Sequence, residues 1–254
     1  MRKRPYILTI AGFDPSGGAG ILSDIKTMEG LRTYGLSVCT ANTVQNDQEF
    51  QSCHWTNVEV IKAQIEILFS RFKIDVVKIG IVQNLQVLND IIDLLISKNK
   101  DIRIVLDPIL RASSGFDFRS ETSDNLDEDM WNQVLEKIYL ITPNYDEIQR
   151  LYPKLDVDET ITKIQGITNL LVKGGHRQDA LGKDELFVKN GDSFVLNPKP
   201  GNFTEKHGSG CILSSAIASY LGLGFPLLKA CYRAKRYTEK VLSSNKRLLG
   251  YHNL

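Results

Sequence analysis

A glycine-rich turn with a cysteine directly behind it is the segment of this chain whose residue types point most clearly to chemistry. The run Lys206-His207-Gly208-Ser209-Gly210-Cys211 leads into the apolar stretch 212–217, so the turn is predicted to open a helix. Uncovered amides at a helix N-terminus bind anions, phosphate groups in particular. A thiol placed there is expected to have a pKa below its usual value of about 8.5 and to act as a base. The turn therefore predicts a phosphoryl-transfer site in which Cys211 prepares the acceptor.

Glycine and polar residues also follow each apolar run of strand length. They are Gly12-Phe13-Asp14-Pro15-Ser16-Gly17-Gly18-Ala19-Gly20, Gln45-Asn46-Asp47, Gly80, Asp107-Pro108, Thr142-Pro143-Asn144 and Lys173-Gly174-Gly175-His176. In doubly wound sheets, ligands bind beyond the carboxyl ends of the strands. These residues are therefore predicted to cluster at one edge of a sheet.

Some of these segments also have plain structural interpretations. The loop 12–20 can be an ordinary tight connection, and it matches neither GxGxxG nor GxxxxGK[ST], which disfavours a P-loop ATPase. Asn144 and Glu147 have the spacing of a helix cap and first turn. Lys173 is more diagnostic, because a charged residue that closes an apolar strand has little structural purpose.

The elements that would position these residues alternate between strands and helices. The predicted strands are 6–11, 37–44, 75–79, 102–106, 138–141 and 169–172, and the predicted helices between them include 21–34, 58–72 and 85–98. A hairpin is predicted from 185–189 and 193–196 around Asn190-Gly191-Asp192, and two helices, 209–223 and 226–245, close the sequence. This pattern predicts a mainly parallel sheet between two helical layers.

Composition narrows the class of protein. The 254 residues include 31 basic and 30 acidic ones, a net charge of +1 that gives no field for holding nucleic acid. No stretch approaches the roughly 18 apolar residues of a membrane span. The four cysteines lack a CxxC pair and are too sparse to staple the chain, which favours a reducing cytoplasm. One cytoplasmic domain without a membrane segment is expected.

The remaining cysteines and several histidines are interpreted as structural. Cys39, Cys53 and Cys231 lack the surroundings of Cys211, and small buried cysteines are common. His54, His207 and His252 are not paired with ligands at metal-site spacing, so no functional role is expected for them.

Taken in order, seven motifs resemble those of one family. They are Ala11 to Gly20, Val44-Gln45-Asn46, Lys78-Ile79-Gly80, Leu106-Asp107-Pro108, Ile141-Thr142-Pro143-Asn144, Val172-Lys173-Gly174-Gly175-His176 and His207-Gly208-Ser209-Gly210-Cys211. The family is hydroxymethylpyrimidine/phosphomethylpyrimidine kinase of thiamine biosynthesis, in the ribokinase-like superfamily. Seven collinear motifs are far more specific than any one of them.

The resemblance implies a single ribokinase-like domain over 1–254, a three-layer α/β/α sandwich. It implies a kinase that uses ATP and Mg²⁺ to phosphorylate 4-amino-5-hydroxymethyl-2-methylpyrimidine and then its monophosphate, and it suggests a homodimer. By the same resemblance, Gly12, Asp14, Asp24, Val44, Gln45, Ile81 and Ile109 would bind the pyrimidine. Asn144, Glu147 and Lys173 would lie on the nucleotide side, with Asp107 and Glu147 near magnesium, and Gly208, Ser209 and Gly210 would form the anion hole beside Cys211.

The sequence departs from the family pattern in three places. Ser209 replaces a usual Thr and keeps the hydroxyl, and Ile81 replaces a common Met. Ser113 stands where relatives commonly have Lys, with Arg111 as the candidate substitute for that charge. Two other functions remain open: a pyridoxal or pyridoxine kinase of the same superfamily, and a catalytically silent protein that binds a small molecule.

Overall fold

One β-sheet runs through the residues that the computed structural model describes, which are 4–108, 128–175 and 181–252. Its strands are β1 (Tyr6–Phe13), β2 (Tyr34–Gln45), β3 (Phe50–Trp55), β4 (Ile74–Ile79), β5 (Arg103–Leu106), β6 (Leu140–Ile141), β7 (Asn169–Val172), β8 (Asp184–Phe187) and β9 (Ser193–Leu196). The spatial order is β3-β2-β1-β4-β5-β6-β7-β8-β9. Neighbouring strands in the central run β2-β1-β4-β5-β6-β7 pair in parallel, whereas β3 at one edge and β8 and β9 at the other pair antiparallel.

Helices cover both faces of the sheet. They are α1 (Gly20–Gly30), α2 (Val58–Phe69), α3 (Leu85–Lys98), α4 (Glu128–Lys137), α5 (Tyr145–Leu151), α6 (Val157–Ile167), α7 (Ser209–Gly222) and α8 (Leu227–Leu242). Buried residues of α2 to α6 form one core with one face of the sheet, and those of α1, α7 and α8 form a second core with the other face. The predicted three-layer α/β/α sandwich with a mostly parallel sheet is confirmed.

Strand β1 illustrates why the sheet is buried on both sides. Leu8 and Ile10 belong to the first core and Ile7 to the second, and none of the three is exposed. Successive side chains of a strand point to opposite faces, so an almost continuous apolar run is what two helical layers require. This is the pattern from which the parallel sheet was predicted.

Several predicted boundaries differ from the structure. Helix α1 ends at Gly30 instead of residue 34, because Arg32 adopts a left-handed φ of 61° in the turn before β2. Strand β3 was not predicted: it lies at the edge of the sheet, where Gln51, Ser52 and His54 interrupt any apolar pattern. The hairpin of β8 and β9 is confirmed, with Asn190 at a left-handed φ of 49° in its turn.

None of the helices in the described ranges is long and apolar enough to cross a lipid bilayer.

Candidate active site

The carboxyl ends of β1, β2, β5 and β7 border one cavity of about 1230 Å³. Most of the residues predicted to bind ligands line it: Gly12, Asp14, Gln45, Ile81, Asp107, Asn144, Glu147, Lys173, Gly208, Ser209, Gly210 and Cys211. They come from seven segments of the chain. The parallel topology brings them together, since each follows or lies near a strand end at the same edge.

Two predicted pyrimidine-binding residues are not part of this lining, and a third is not among the described residues. Val44 is 45% exposed, because strand alternation turns it away from Thr43 and Gln45, which both face the cavity. Asp24 is fully buried and does not line the cavity, and its role in binding the pyrimidine stays a prediction. Ile109 lies outside the described residues, as do Arg111 and Ser113.

The predicted anion-binding turn is present at the start of α7. Gly208 has a φ of 75°, and a Cβ on it would lie 2.1 Å from the Gly18 carbonyl oxygen and 2.7 Å from Cα of Ala19. Glycine is therefore required both by the left-handed backbone and by the contact with the first glycine loop. No described side chain caps α7; the Ser209 amide donates to the Lys206 carbonyl oxygen at 3.3 Å, and the amides of Gly210 and Cys211 remain available to a ligand.

Lys173 lies between two carboxylates at the other side of the turn. Its Nζ is 2.7 Å from Asp107 Oδ1 and 3.8 Å from Glu147 Oε2. A Cβ on Gly210 would lie 3.2 Å from the same Nζ, so the ammonium group sits directly against the N-terminus of α7. The structure thus brings Lys173 next to the glycine turn that begins α7.

The two carboxylates differ in charge state. Burial raises the pKa of Glu147 to about 7, and Lys173 offsets only part of that effect. Burial also acts to raise the pKa of Asp107, but the ammonium groups of Lys173 and Lys78 outweigh it and the net pKa is lowered. Asp107 accepts further hydrogen bonds from Thr142 Oγ1 at 3.3 Å and Ser214 Oγ at 3.0 Å. Asp107 is consequently anionic at neutral pH, and Glu147 titrates near it.

Asn144 and Glu147 also form the helix cap that their spacing allowed. Asn144 Oδ1 accepts from the Glu147 amide at 2.8 Å, and Glu147 Oε2 accepts from the Asn144 amide at 2.7 Å. The capping box fixes both side chains at the start of α5, on the cavity wall. The structural and the functional interpretations of this pair are therefore compatible.

Cys211 does not have the lowered pKa that its helix-start position predicted. The residue is 5% exposed, and burial raises the pKa of its thiol to about 11 despite the nearby positive charge of Lys78. The sequence indicated the helix N-terminus but could not indicate how completely the fold removes the sulfur from water. With this pKa the thiol is protonated at neutral pH.

Two site residues were missed from the sequence. His207 Nε2 lies 2.9 Å from Asp14 Oδ2, and both residues are buried in the cavity lining. Asp14 also accepts hydrogen bonds from the amides of Ser16 and Ala19, so it ties the first glycine loop to the turn before α7. Lys78 is fully buried yet borders the cavity, and a lysine inside an apolar strand was the signal that could have identified it.

The residues present fit a magnesium ion. Mg²⁺ in nucleotide sites is usually held by one or two carboxylates together with phosphate oxygens and water. Asp107 and Glu147 supply two carboxylates on one wall of the cavity. The described residues contain no larger cluster of three or more acidic, histidine or cysteine ligands.

Comparison with known proteins places these features in a family. The sequence model for phosphomethylpyrimidine kinase matches residues 14–253. The hydroxymethylpyrimidine/phosphomethylpyrimidine kinase of Aquifex aeolicus is 35% identical over 250 residues, which cover 95% of each protein. The thiamine biosynthesis multifunctional protein ThiED of Corynebacterium glutamicum is 30% identical over 246 residues, and the match spans 94% of this chain but only 32% of that longer protein.

Solved structures agree with the sequence matches. The crystal structure of phosphomethylpyrimidine kinase from Clostridium difficile 630 superposes with a TM-score of 0.74 at 32% identity, covering 92% of this chain and 98% of the other. The pyridoxal kinase of Staphylococcus aureus in complex with AMP-PCP and pyridoxal superposes with a TM-score of 0.82, covering 99% and 94%, at 22% identity. The second likeness establishes a shared ribokinase-like fold. The family match over nearly the whole sequence goes further, and the chain belongs to the phosphomethylpyrimidine kinase family of phosphotransferases.

Proposed function

We propose that this protein is an ATP-dependent kinase of thiamine biosynthesis. It phosphorylates the hydroxymethyl group of 4-amino-5-hydroxymethyl-2-methylpyrimidine and then phosphorylates that monophosphate to the diphosphate at the same site. The observation that carries the proposal is the convergence of the α7 turn, Lys173 and Cys211 on one cavity in a member of this family. Phosphoryl transfer requires mainly positioning and charge neutralisation, which amides and a lysine supply.

Gln45 is suited to recognise the pyrimidine. Its Nε2 donates to Thr43 Oγ1 at 2.8 Å, which orients the amide and leaves its oxygen and one N–H for a ligand. The oxygen can accept from the exocyclic amine while the N–H donates to a ring nitrogen. Gly12 and Ile81 line the same cavity, and a Cβ on Gly12 would lie 2.5 Å from Ile81 Cδ1, so a larger residue at position 12 would displace the Ile81 side chain.

The phosphate groups of ATP would meet the α7 amides and Lys173 at the opposite wall. Asp107 and Glu147 would hold Mg²⁺, which when bound neutralises charge on the phosphate oxygens. Lys173 Nζ is already within 2.7 Å of Asp107, so the lysine is oriented before any ligand arrives. An ammonium group fixed in this way can stabilise the transferring phosphoryl group without being reorganised.

Cys211 is proposed to accept the proton of the substrate hydroxyl. The hydroxyl oxygen attacks the γ-phosphorus, the bond to the ADP oxygen breaks, and the proton moves to the sulfur. Because the free thiol has a pKa of about 11, cationic groups must favour its thiolate for this role. Lys78 and Lys173 are the ammonium groups whose charges act on it.

This role predicts that the two phosphorylations respond differently to Cys211→Ala. The alcohol must lose a proton during attack, whereas the monophosphate is already anionic near pH 7. We expect the first step to slow by about 100-fold or more and the second to change little. Single-turnover measurements with each substrate separate the steps. Equal slowing of both would assign Cys211 a positional role.

The proposed function is tested by ADP release from purified protein with the pyrimidine alcohol, its monophosphate and pyridoxine. ADP from the first two substrates is the expected result. ADP from pyridoxine alone would identify a pyridoxine kinase, the nearest alternative. Absence of ADP with all three would favour a silent binding protein, which the presence of Lys173 and Cys211 in the cavity disfavours.

We also propose that residues 1–254 act as one kinase domain, as a homodimer, in the cytoplasm. The four cysteines, Cys39, Cys53, Cys211 and Cys231, are free thiols, as a reducing compartment requires. Sedimentation equilibrium of the purified protein tests the dimer, and a mass near 28.6 kDa would contradict it.

A further inference from the structure

The charge of Lys78, which acts on Cys211, belongs to a buried ion pair whose other member has no role assigned so far. Lys78 Nζ lies 2.8 Å from Asp24 Oδ2, and both side chains are completely buried. Asp24 is saturated by two further donors, Thr9 Oγ1 at 2.5 Å and Ser215 Oγ at 2.8 Å. Taking two charges out of water is costly, so such a pair is weak support for stability on its own. Its location suggests a different reason for its presence.

The pair is connected to Cys211 both through the cavity lining and through α7. Lys78 at the end of β4 and Cys211 at the start of α7 both border the cavity. Asp24 reaches α7 through Ser215, which stands one helical turn after Cys211 and also donates to the Cys211 carbonyl oxygen. One carboxylate from α1 therefore fixes the lysine of β4 relative to the first turn of α7.

Charged groups of both signs among the described residues act on the Cys211 sulfur. Lys78 and Lys173 are positive, and Asp24 and Asp107 are negative. Lys173 is committed to Asp107, Glu147 and the proposed phosphate site. Lys78 makes none of these contacts, and because it is fully buried, water screens its charge from the sulfur only weakly.

We propose that Lys78, oriented by Asp24, is a positioning residue that holds a permanent ammonium charge beside Cys211 and thereby makes the thiolate available as the proton acceptor. In the step itself, the hydroxyl proton passes to the Cys211 sulfur while the alcohol oxygen bonds to phosphorus and ADP leaves. Lys78 keeps its proton throughout. This inference rests on the proposed role of Cys211, and its test is chosen to be independent of kinase activity.

The test is the rate at which iodoacetamide alkylates Cys211, followed by mass spectrometry of the Cys211 peptide between pH 7 and 10. The thiolate is the reacting species, so at a pH below the thiol pKa a shift of one unit in that pKa changes the alkylation rate tenfold. Lys78→Met removes the cation, and we expect alkylation at pH 8 to slow by about tenfold or more. Lys78→Arg keeps the charge and should restore most of the rate.

The partner substitution has the opposite expected effect. Asp24→Asn removes the negative charge but keeps the size and an acceptor oxygen for Lys78, so alkylation should become faster. General damage to the fold would not move the two single variants in opposite directions. A Lys78→Met rate within twofold of the unmodified protein, or a slower Asp24→Asn rate, would overturn the proposal.

Lys78→Met leaves Asp24 buried without a counter-charge and can fail to fold. The double variant Lys78→Met/Asp24→Asn has no buried charge at this place, and it is compared with Asp24→Asn alone. We expect the double variant to react about tenfold more slowly, and equal rates would refute the role of Lys78. The alkylation of Cys39 and Cys53, which are half-buried, serves as an internal reference in every variant.

The result is separable from the proposed kinase function. If the alkylation rates shift as expected but no substrate releases ADP, the electrostatic assignment stands and the kinase proposal fails. If the kinase is active and the rates do not shift, Cys211 accepts the proton without help from Lys78.

Discussion

Two carboxylates that face the same lysine differ in how readily they ionise, and the charges of nearby ammonium groups account for most of the difference, with hydrogen bonds adding to it. Asp107 lies 2.7 Å from Lys173 Nζ and also accepts from two hydroxyl groups, so its anion is well solvated by the protein. Glu147 is 3.8 Å from the same ammonium group and is 6% exposed. Burial therefore dominates for Glu147 and raises its pKa to about 7. A ligand that brings positive charge, such as Mg²⁺, would complete its ionisation.

Because its pKa is raised, Glu147 lowers the free energy of unfolding once it ionises above neutral pH. A carboxyl group whose pKa is higher in the folded than in the unfolded protein stabilises the folded state at pH values below the unfolded pKa. For Glu147 this contribution is lost as the pH rises through the folded pKa of about 7. We therefore expect Glu147→Gln to raise the free energy of unfolding at pH 8, by on the order of 2 kcal/mol. At pH 5 the change should be small. Urea unfolding at both values measures it.

A second capping box provides the control for this experiment. Glu159 occupies the same position in the cap of α6, where Asp156 and Glu159 exchange the same two hydrogen bonds, but its side chain is exposed. Glu159→Gln therefore reproduces the change to the cap without the burial. If Glu147→Gln and Glu159→Gln show the same difference between pH 5 and pH 8, burial is not the cause.

The glycine-rich segments act at the scale of elements, because they let two loops approach each other. The turn at 206–211 contacts the loop at 12–20 through backbone atoms at Gly208 and Gly18, and His207 and Asp14 bridge the same segments. The two helices that follow, α7 and α1, consequently begin side by side at the cavity. The helix-start character of the first segment was predictable from its residues, but its partner was not.

Gly208→Ala tests the contact between the loops. A β-carbon at φ 75° costs about 1 to 2 kcal/mol in backbone strain, and here it would also collide with the Gly18 carbonyl oxygen. The turn must shift, and with it the α7 amides. We expect kcat/KM to fall by about 100-fold or more, as when a preorganised anion-binding donor is lost.

Gly224 is a matched control between α7 and α8. Its φ is 86°, but no heavy atom of the described residues lies within 4 Å of an added Cβ, and Gly224 is not among the residues that line the cavity. Gly224→Ala should lower the melting temperature through backbone strain while kcat/KM stays close to that of the unmodified protein. Comparable losses of activity in both variants would argue that the contact with Gly18 is not what matters.

At the scale of the molecule, the sequence predicted the fold more completely than it predicted the candidate site. The buried parallel strands and the β8–β9 hairpin follow from local patterns, because both faces of the sheet are covered and the turn residues are explicit. The edge strand β3 gave no such pattern. At the site, residue types located the cavity, but they could not reveal that Asp24 points beneath it or that Cys211 is buried, since both depend on contacts across the sheet.

A contact between distant segments also holds the nucleotide side of the molecule together. Lys235 of α8 donates to Asp184 Oδ2 at 2.8 Å, and Asp184 Oδ1 accepts from the Gly174 amide at 2.9 Å, directly after Lys173. Both charged side chains are buried. The last helix is thereby connected to the loop that presents Lys173 to the cavity.

Removing one partner of this buried pair should therefore affect the whole molecule. Lys235→Met leaves Asp184 without its counter-charge, and we expect the free energy of unfolding in urea to fall by about 3 to 5 kcal/mol. Lys235→Met/Asp184→Asn should recover part of that loss, since no unpaired charge remains. Lys62→Met, which removes a solvent-accessible pair between α2 and α3, is the control and should change stability only slightly.

A small effect of Lys235→Met, similar to that of Lys62→Met, would mean that α8 is held by its apolar face alone. In that case the KM for ATP should also be unchanged, because the loop carrying Lys173 would not depend on the ion pair.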